Sequence, residues 1–172
     1  MNLPMRLAEI ARVSPGQEAV VFKNWRITYA QLDARVNQLA TGLLAMGVEP
    51  GDRVLLNLGN SPEFVITYYA VIRMKGVVVP VSPQYTVNEL GVIVKDCRPA
   101  AVITEEKLQQ VFADISKNIA IPRGIIIGSG QATQESAVSL DQVYNRGTST
   151  FPETKYNRND VAEILYTAVR TG

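Results

Sequence analysis

VLLNL, VVVPV, AAVIT and GIIIG begin at residues 54, 77, 100 and 124, and each is apolar on consecutive rather than alternating positions. Successive side chains of a strand point to opposite faces, so a run that is apolar throughout needs cover on both sides. Helices packed on each face of a parallel sheet supply that cover. The stretches between the runs have the matching content. Thr28 and Gln31 form the reciprocal pair of a capping box, after which Leu32, Val36, Leu39, Ala40, Leu43 and Leu44 recur at helical spacing until Gly47. Thr86 with Glu89 repeats the same start signal before another helix to about Lys95. The chain is therefore expected to be α/β and three-layered, with a mostly parallel sheet and helices on both faces.

The remaining segments fit that rhythm. Residues 3–13 suit a short helix, EAVVF and RIT flank a turn at KNW, residues 64–75 suit a buried helix, and a further helix is expected from Glu105 to Lys117. VAEILYT, from residue 161, has the character of a last strand. Residues 129–137 and 147–159 break the pattern and are expected to be exposed linkers or functional lids. With 172 residues, 47% of them apolar, one core and one domain are the expectation.

Several functions are excluded before any motif is sought. Seventeen basic against sixteen acidic residues leave a formal net charge of +1, too small a field to favour nucleic acid or an anionic membrane. The longest apolar run, residues 64–72, falls short of the ~18 residues a transmembrane helix needs. The N-terminus MNLPMRLAEIARV has no block resembling a signal peptide, and Cys97 is the only cysteine, so a reducing cytoplasm is expected. Histidine is absent, which removes Ser-His-Asp and Cys-His nucleophiles and any His-based zinc site. No metal site is expected: Glu105 and Glu106 are read as opening a helix, and Asp33 and Glu63 as lying on polar faces. Cys97 is read as a small buried hydrophobe. Gly128-Ser129-Gly130 follows a strand, but a dinucleotide fingerprint would need its third glycine where Thr133 stands. A Walker-type phosphate loop does not occur.

The order of three longer segments is more informative. ITYAQLDARVNQLATGLLAMGVEPGDRVLL, then NSPEFVITYYAVIRMKGVVVPVSPQYTVNEL, then DVAEILYT follow one another along the chain. From about Leu3 to Gly172 this order resembles the N-terminal part of the adenylate-forming superfamily: acyl-CoA synthetases, luciferases and the adenylation domains of peptide synthetases. Peptide-synthetase domains tend to have leucine-aspartate-proline where this chain has Val81-Ser82-Pro83, so the acyl-CoA synthetase branch is the closer likeness. The resemblance implies activation of a carboxylic acid, fatty or related, by ATP with magnesium, and transfer of the acyl group to CoA.

The resemblance also implies a phosphate loop, Tyr-Thr-Ser-Gly-Thr-Thr-Gly, at the end of the chain. Here Tyr166, Thr167, Thr171 and Gly172 match it, whereas Ala168, Val169 and Arg170 do not. Val169 puts a β-branched side chain where glycine lets the backbone approach phosphate. Thr167, Thr171 and Gly172 are thus read as the remnant of an ATP phosphate loop, with no catalytic residue. One event accounts for all three departures. Removing the first base of an AGC serine codon followed by GGT and ACG leaves GCG, GTA and CGA, and one inserted A restores Thr171-Gly172. The coding DNA decides it, because any other codons at 168–170 exclude this origin. Residues 1–172 are expected to be the N-terminal subdomain of a longer enzyme, inactive alone, binding neither ATP nor CoA tightly, and self-associating through apolar surface. A stand-alone scaffold module and a flavodoxin-like nucleotide binder are the rival readings.

Overall fold

The computed structural model describes residues 3–135, 137–152 and 154–167. Helix α1 (Leu3–Val13) leads into an antiparallel hairpin of β1 (Glu18–Phe22) and β2 (Trp25–Thr28). Then come α2 (Tyr29–Ala45), β3 (Arg53–Asn57), α3 (Pro62–Arg73), β4 (Val77–Pro80), α4 (Val87–Cys97) and β5 (Ala101–Glu105). A 3₁₀ turn (Glu106–Leu108), α5 (Gln109–Ser116), β6 (Ile125–Ser129), β7 (Ala137–Ser139) and α6 (Leu140–Tyr144) complete the order.

Both capping boxes read from the sequence form. Thr28 N–H donates to Gln31 Oε1 at 2.9 Å while Gln31 N–H donates back to Thr28 Oγ1, and Thr86 with Glu89 does the same at the start of α4. These pairs satisfy amide donors that the first helical turn leaves without partners. Ser61 caps α3 ahead of Pro62, whose fixed φ suits the first helical position.

The five strands β4-β3-β5-β6-β7 form one parallel sheet. Side-chain alternation divides the core in two. Val54, Leu56, Val78, Ile103 and Ile126 pack with α1, α2, α3 and α6 on one face, while Leu55, Val79, Val102, Ile125 and Ile127 pack with α4 and α5 on the other. The three-layer α/β expectation holds, and the reason is the one that the consecutive apolar runs gave.

Four local expectations differ. Glu105 ends β5 and Glu106 opens only a 3₁₀ turn, so the helix expected from Glu105 begins at Gln109. Residues 137–144 hold β7 and α6, both too short for a periodicity test, although Ser139 and Gln142 make a third capping box of the kind that marks α2 and α4. VAEILYT forms a single parallel bridge between Glu163 and Val78 rather than a full strand. Val78 N–H donates to Ala162 C=O and Ile164 N–H to Val78 C=O, both at 2.9 Å, so the segment extends the sheet outside β4 through one residue's worth of ladder.

The fourth concerns the described residues of the stretch 147–159, 147–152 and 154–159, which are not a free linker. They follow α6 at the β7 side of the sheet and lead to the opposite edge, outside β4. That crossing covers five strand spacings, about 24 Å at ~4.8 Å each. Thirteen residues reach at most ~45 Å, so the length is explained by the path. The strap is fastened along α2: Thr148 N–H donates to Thr41 Oγ1 at 2.8 Å and Asn37 Nδ2 donates to Ser149 C=O at 3.0 Å. Beyond, Tyr156 Oη donates to Arg73 C=O at 2.7 Å and Lys75 pairs with Asp160 at 3.1 Å.

Under the strap lies a buried ion pair. Arg73, 4% exposed, donates to Asp33 Oδ1 at 2.7 Å, to Asn37 Oδ1, and to Pro4 C=O at 2.8 Å, joining α3 to α2 and α1. Asp33 is thus a structural anion rather than the solvated polar residue its sequence context suggests.

Candidate functional site

In an open parallel sheet, ligands gather outside the carboxyl ends of strands, most often where the strand order reverses. Here the order reverses at β3, from which the chain steps outward to β4 and then returns past β3 to β5. That crevice is occupied by the protein's own polar groups. Asn57 is fully buried and donates to Val81 C=O at 3.3 Å and Ser82 C=O at 3.0 Å, while accepting from Thr104 Oγ1 at 3.1 Å. Beside it Gly59 N–H donates to Glu105 Oε1 at 2.9 Å. Lys107 and that amide hold the Glu105 carboxyl below the usual carboxylate range. A backbone donor of the kind that receives phosphate in other folds here receives a resident carboxylate.

The same holds at Gly128-Ser129-Gly130. β6 is followed by β7 rather than by a helix, so no helix opens directly from the turn, and the helix start that shares its cavity, Ser139-Leu140-Asp141 of α6, carries an acidic side chain in its first turn. Gln131 N–H donates to Glu106 Oε2 at 2.9 Å, and Thr133 and Gln134 N–H donate to Gln109 Oε1 at 2.9 and 3.2 Å. These donors are already satisfied, which argues against both a dinucleotide site and a flavodoxin-like one. The neighbouring cavity, about 250 Å³, is lined by Arg35, Glu63, Asp141 and Tyr144 among others. Burial pushes the Tyr144 phenol up to about 12, against the opposing effect of Arg35.

The residues singled out at the chain's end lie elsewhere. Tyr166 and Thr167 close the segment that runs parallel to β4, so Thr167 stands on the carboxyl side of the sheet, exposed to solvent. Thr171 and Gly172, with residues 168–170, lie outside the described residues. Tyr166 is tied down: its Oη donates to Asp96 Oδ2 at 2.5 Å, and Tyr85 Oη lies 3.5 Å from its carbonyl oxygen. Burial, then the hydrogen bond to Asp96, raises the Tyr166 pKa. Neither Tyr85 nor Asp96 carries a sequence signal for this role, because each meets Tyr166 only through the fold.

A groove of about 370 Å³ adjoins Thr167, lined by Tyr85, Asn88, Glu89, Val92, Ile93, Tyr166 and Thr167. Its charged side chain is Glu89, whose carboxyl the Thr86 backbone N–H and hydroxyl hold below the usual range. No lysine or arginine is among these lining residues. The described part of the site therefore does not by itself fit a triphosphate, and no group of His, Cys, Asp or Glu among the described residues is arranged to hold a metal ion. Cys97, near Tyr166, is buried, and burial pushes its thiol up to about 11, so it stays protonated at neutral pH.

Residues 7–172 match the model of one protein family, described as AMP-binding enzyme. The chain belongs to this family. Among AMP-binding relatives it is 32% identical to bacitracin synthase 3 of Bacillus licheniformis over 96% of this chain and 2% of that protein. It is 24% identical to crotonobetaine/carnitine--CoA ligase of Salmonella agona, over 99% of this chain and 34% of that one. Among solved structures, the anthranilate CoA ligase AuaEII in complex with anthranoyl-AMP superposes with a TM-score of 0.92 at 22% identity, over 100% of this chain and 33% of that one. The N-terminal domain of FACL13 from Mycobacterium tuberculosis gives 0.79 at 28% identity, over 98% and 42%. The chain thus spans about a third of the length of the CoA ligase it matches and a small part of bacitracin synthase 3. Family and fold agree with the resemblance read from the order of the segments.

Proposed function

We propose that this chain is the N-terminal subdomain of an acyl-CoA synthetase whose whole length activates a carboxylic acid, fatty or related, with ATP and transfers the acyl group to CoA. The observation that carries the proposal is the docking of residues 162–164 outside β4, which puts Tyr166-Thr167 on the carboxyl side of the sheet where a phosphate loop would begin. Thr171 and Gly172 would complete the remnant of that loop. Magnesium would come with the ATP. Val81-Ser82-Pro83 supports the acyl-CoA branch, whereas the 32% identity to bacitracin synthase 3 favours a second reading in which the acid is an amino acid. A single free cysteine, Cys97, suits a reducing cytoplasm.

The chain alone is proposed to be inactive, because no lysine or arginine is among the described residues that line the groove beside Thr167 and Val169 stands where the loop needs glycine. Val87, Val92, Val161 and Leu165 are each more than half exposed, which supports self-association. ATP–pyrophosphate exchange with a panel of fatty, aryl and amino acids is expected to stay at background, while light scattering of the same sample shows mass rising with concentration. Exchange above background overturns the inactivity, and a constant monomer mass overturns the self-association. Coding DNA separates this reading from a stand-alone scaffold: a frame that carries the family's later segments supports the enzyme, and a stop codon directly after Gly172 supports the scaffold.

A further inference from the structure

The segment after residue 160 is held to the sheet by very little ladder. Among the described residues its two backbone-to-backbone hydrogen bonds both go to Val78, and two such bonds alone specify register weakly. Side chains supply the rest. Ile164 and Tyr166 lie against the core on the α4 side of the sheet, while Glu163 faces Tyr68 of α3 on the other side. Tyr166 then reaches the last turn of α4, where its hydroxyl donates to Asp96 Oδ2 at 2.5 Å.

We propose that Tyr166 and Asp96 form a register clip: their hydrogen bond selects the one alignment of the terminal segment on β4 that delivers Thr167 to the carboxyl side of the sheet. A slip of one residue would turn Ile164 and Tyr166 away from their core and set Glu163 and Leu165 into it. A slip of two would keep the faces but carry the phenol about 6.6 Å along the strand, beyond reach of Asp96. Only the observed alignment satisfies both the apolar packing and the hydroxyl–carboxylate bond. Tyr85 adds a second contact to the same residue, its hydroxyl 3.5 Å from the Tyr166 carbonyl oxygen. Tyr166 and Asp96 are thus positioning residues, which act through where they place Thr167. That functional consequence rests on the acyl-CoA synthetase reading, whereas the clip itself does not.

Amide hydrogen exchange on the full chain tests it without nucleotide, so failure of the clip and failure of the enzymatic reading are separate results. The Ile164 and Val78 amides report the bridge; the Val102 and Val81 amides, bonded to Gly124 and Leu56 within the sheet, report the core. Tyr166→Phe and Asp96→Ala are each expected to speed exchange at Ile164 and Val78 about tenfold, as loss of a hydrogen bond to a charged acceptor implies, with Val102 and Val81 unchanged. Asp96→Asn keeps an acceptor oxygen and should keep most of the protection. Unchanged exchange at Ile164 in the first two variants, equal acceleration at Val102, or Asp96→Asn no better than Asp96→Ala would each overturn the clip.

Discussion

Replacing Arg73 with alanine is expected to destabilise the folded chain by about 3 kcal/mol, lowering its midpoint of thermal unfolding by roughly 6–12 °C. The side chain of Arg73 is 5% exposed and that of Asp33 is 21% exposed, so solvent compensates the arginine's loss poorly and the aspartate's loss only in part. Removing the guanidinium leaves three acceptors without their donor at once: Asp33 Oδ1, Asn37 Oδ1 and Pro4 C=O. A partly buried carboxylate without its counter-charge is the largest contribution, and a lone acceptor on α1 adds to it. Arg73→Lys keeps the charge but not the planar fork that spans α1 and α2, so it is expected to recover only part of the loss. Urea denaturation followed by circular dichroism gives the comparison. An alanine variant within 1 kcal/mol of the parent would show that the cluster contributes no more than a surface pair does.

That cluster marks the boundary of what the sequence discloses. Local signals were legible where both halves lay within a few residues and a long periodic helix followed, which Ser139 and Gln142, ahead of the short α6, lacked. Thr28 and Gln31, or Thr86 and Glu89, are three positions apart, and the pattern that names them is the contact they make. The strands were legible because consecutive apolar residues demand two covered faces. Arg73 and Asp33 are 40 positions apart, and each sits in an otherwise ordinary helical pattern. Nothing local distinguishes a buried ion from a solvated one when the partner comes from another helix. Glu105 and Glu106 failed for a related reason. Their neighbours suggested a helix start, whereas the donors that claim them, Gly59 and Gln131, are delivered by other strand ends.

The candidate site divides along the same line. Tyr166 and Thr167 were legible as the end of an apolar segment, but that segment docks on β4 through a single bridge at Glu163 and is not the full strand its sequence suggests. Asp96, which holds Tyr166 in place, is 70 positions away and was not legible. The strap over residues 147–159 shows the complementary failure. Its threonines, asparagines and prolines resemble those of a free linker, yet Thr148 and Ser149 supply the backbone groups that Thr41 and Asn37 hold on α2. A polar stretch is a linker or a fastened strap according to what lies beneath it, and composition is the same in both cases.

Two glycines inside helices turn this limit into a quantitative contrast. By helix propensity alone, alanine at Gly42 of α2 and at Gly91 of α4 should each stabilise by about 0.5–1 kcal/mol, because glycine loses more backbone freedom on folding. The fold reverses the sign at one of them. A Cβ at Gly91 would meet nothing within 4 Å, so Gly91→Ala keeps the full gain. A Cβ at Gly42 would lie 2.2 Å from the carbonyl oxygen of Val143 and 3.0 Å from its Cγ1. Backbone cannot move aside as a flexible side-chain end does, so α6 must shift away from α2. That shift would strain the Gln38 bond to Tyr144 C=O at 3.2 Å and the Thr41–Thr148 pair that starts the strap. Overpacking of this kind costs about 1–3 kcal/mol and outweighs the propensity gain, so Gly42→Ala is expected to be net destabilising by about 1 kcal/mol. Measured side by side in urea, the two variants should move the midpoint in opposite directions. If both move it upward, α6 and the strap yield to a methyl group at little cost, and the tight seam along α2 does not exist in solution.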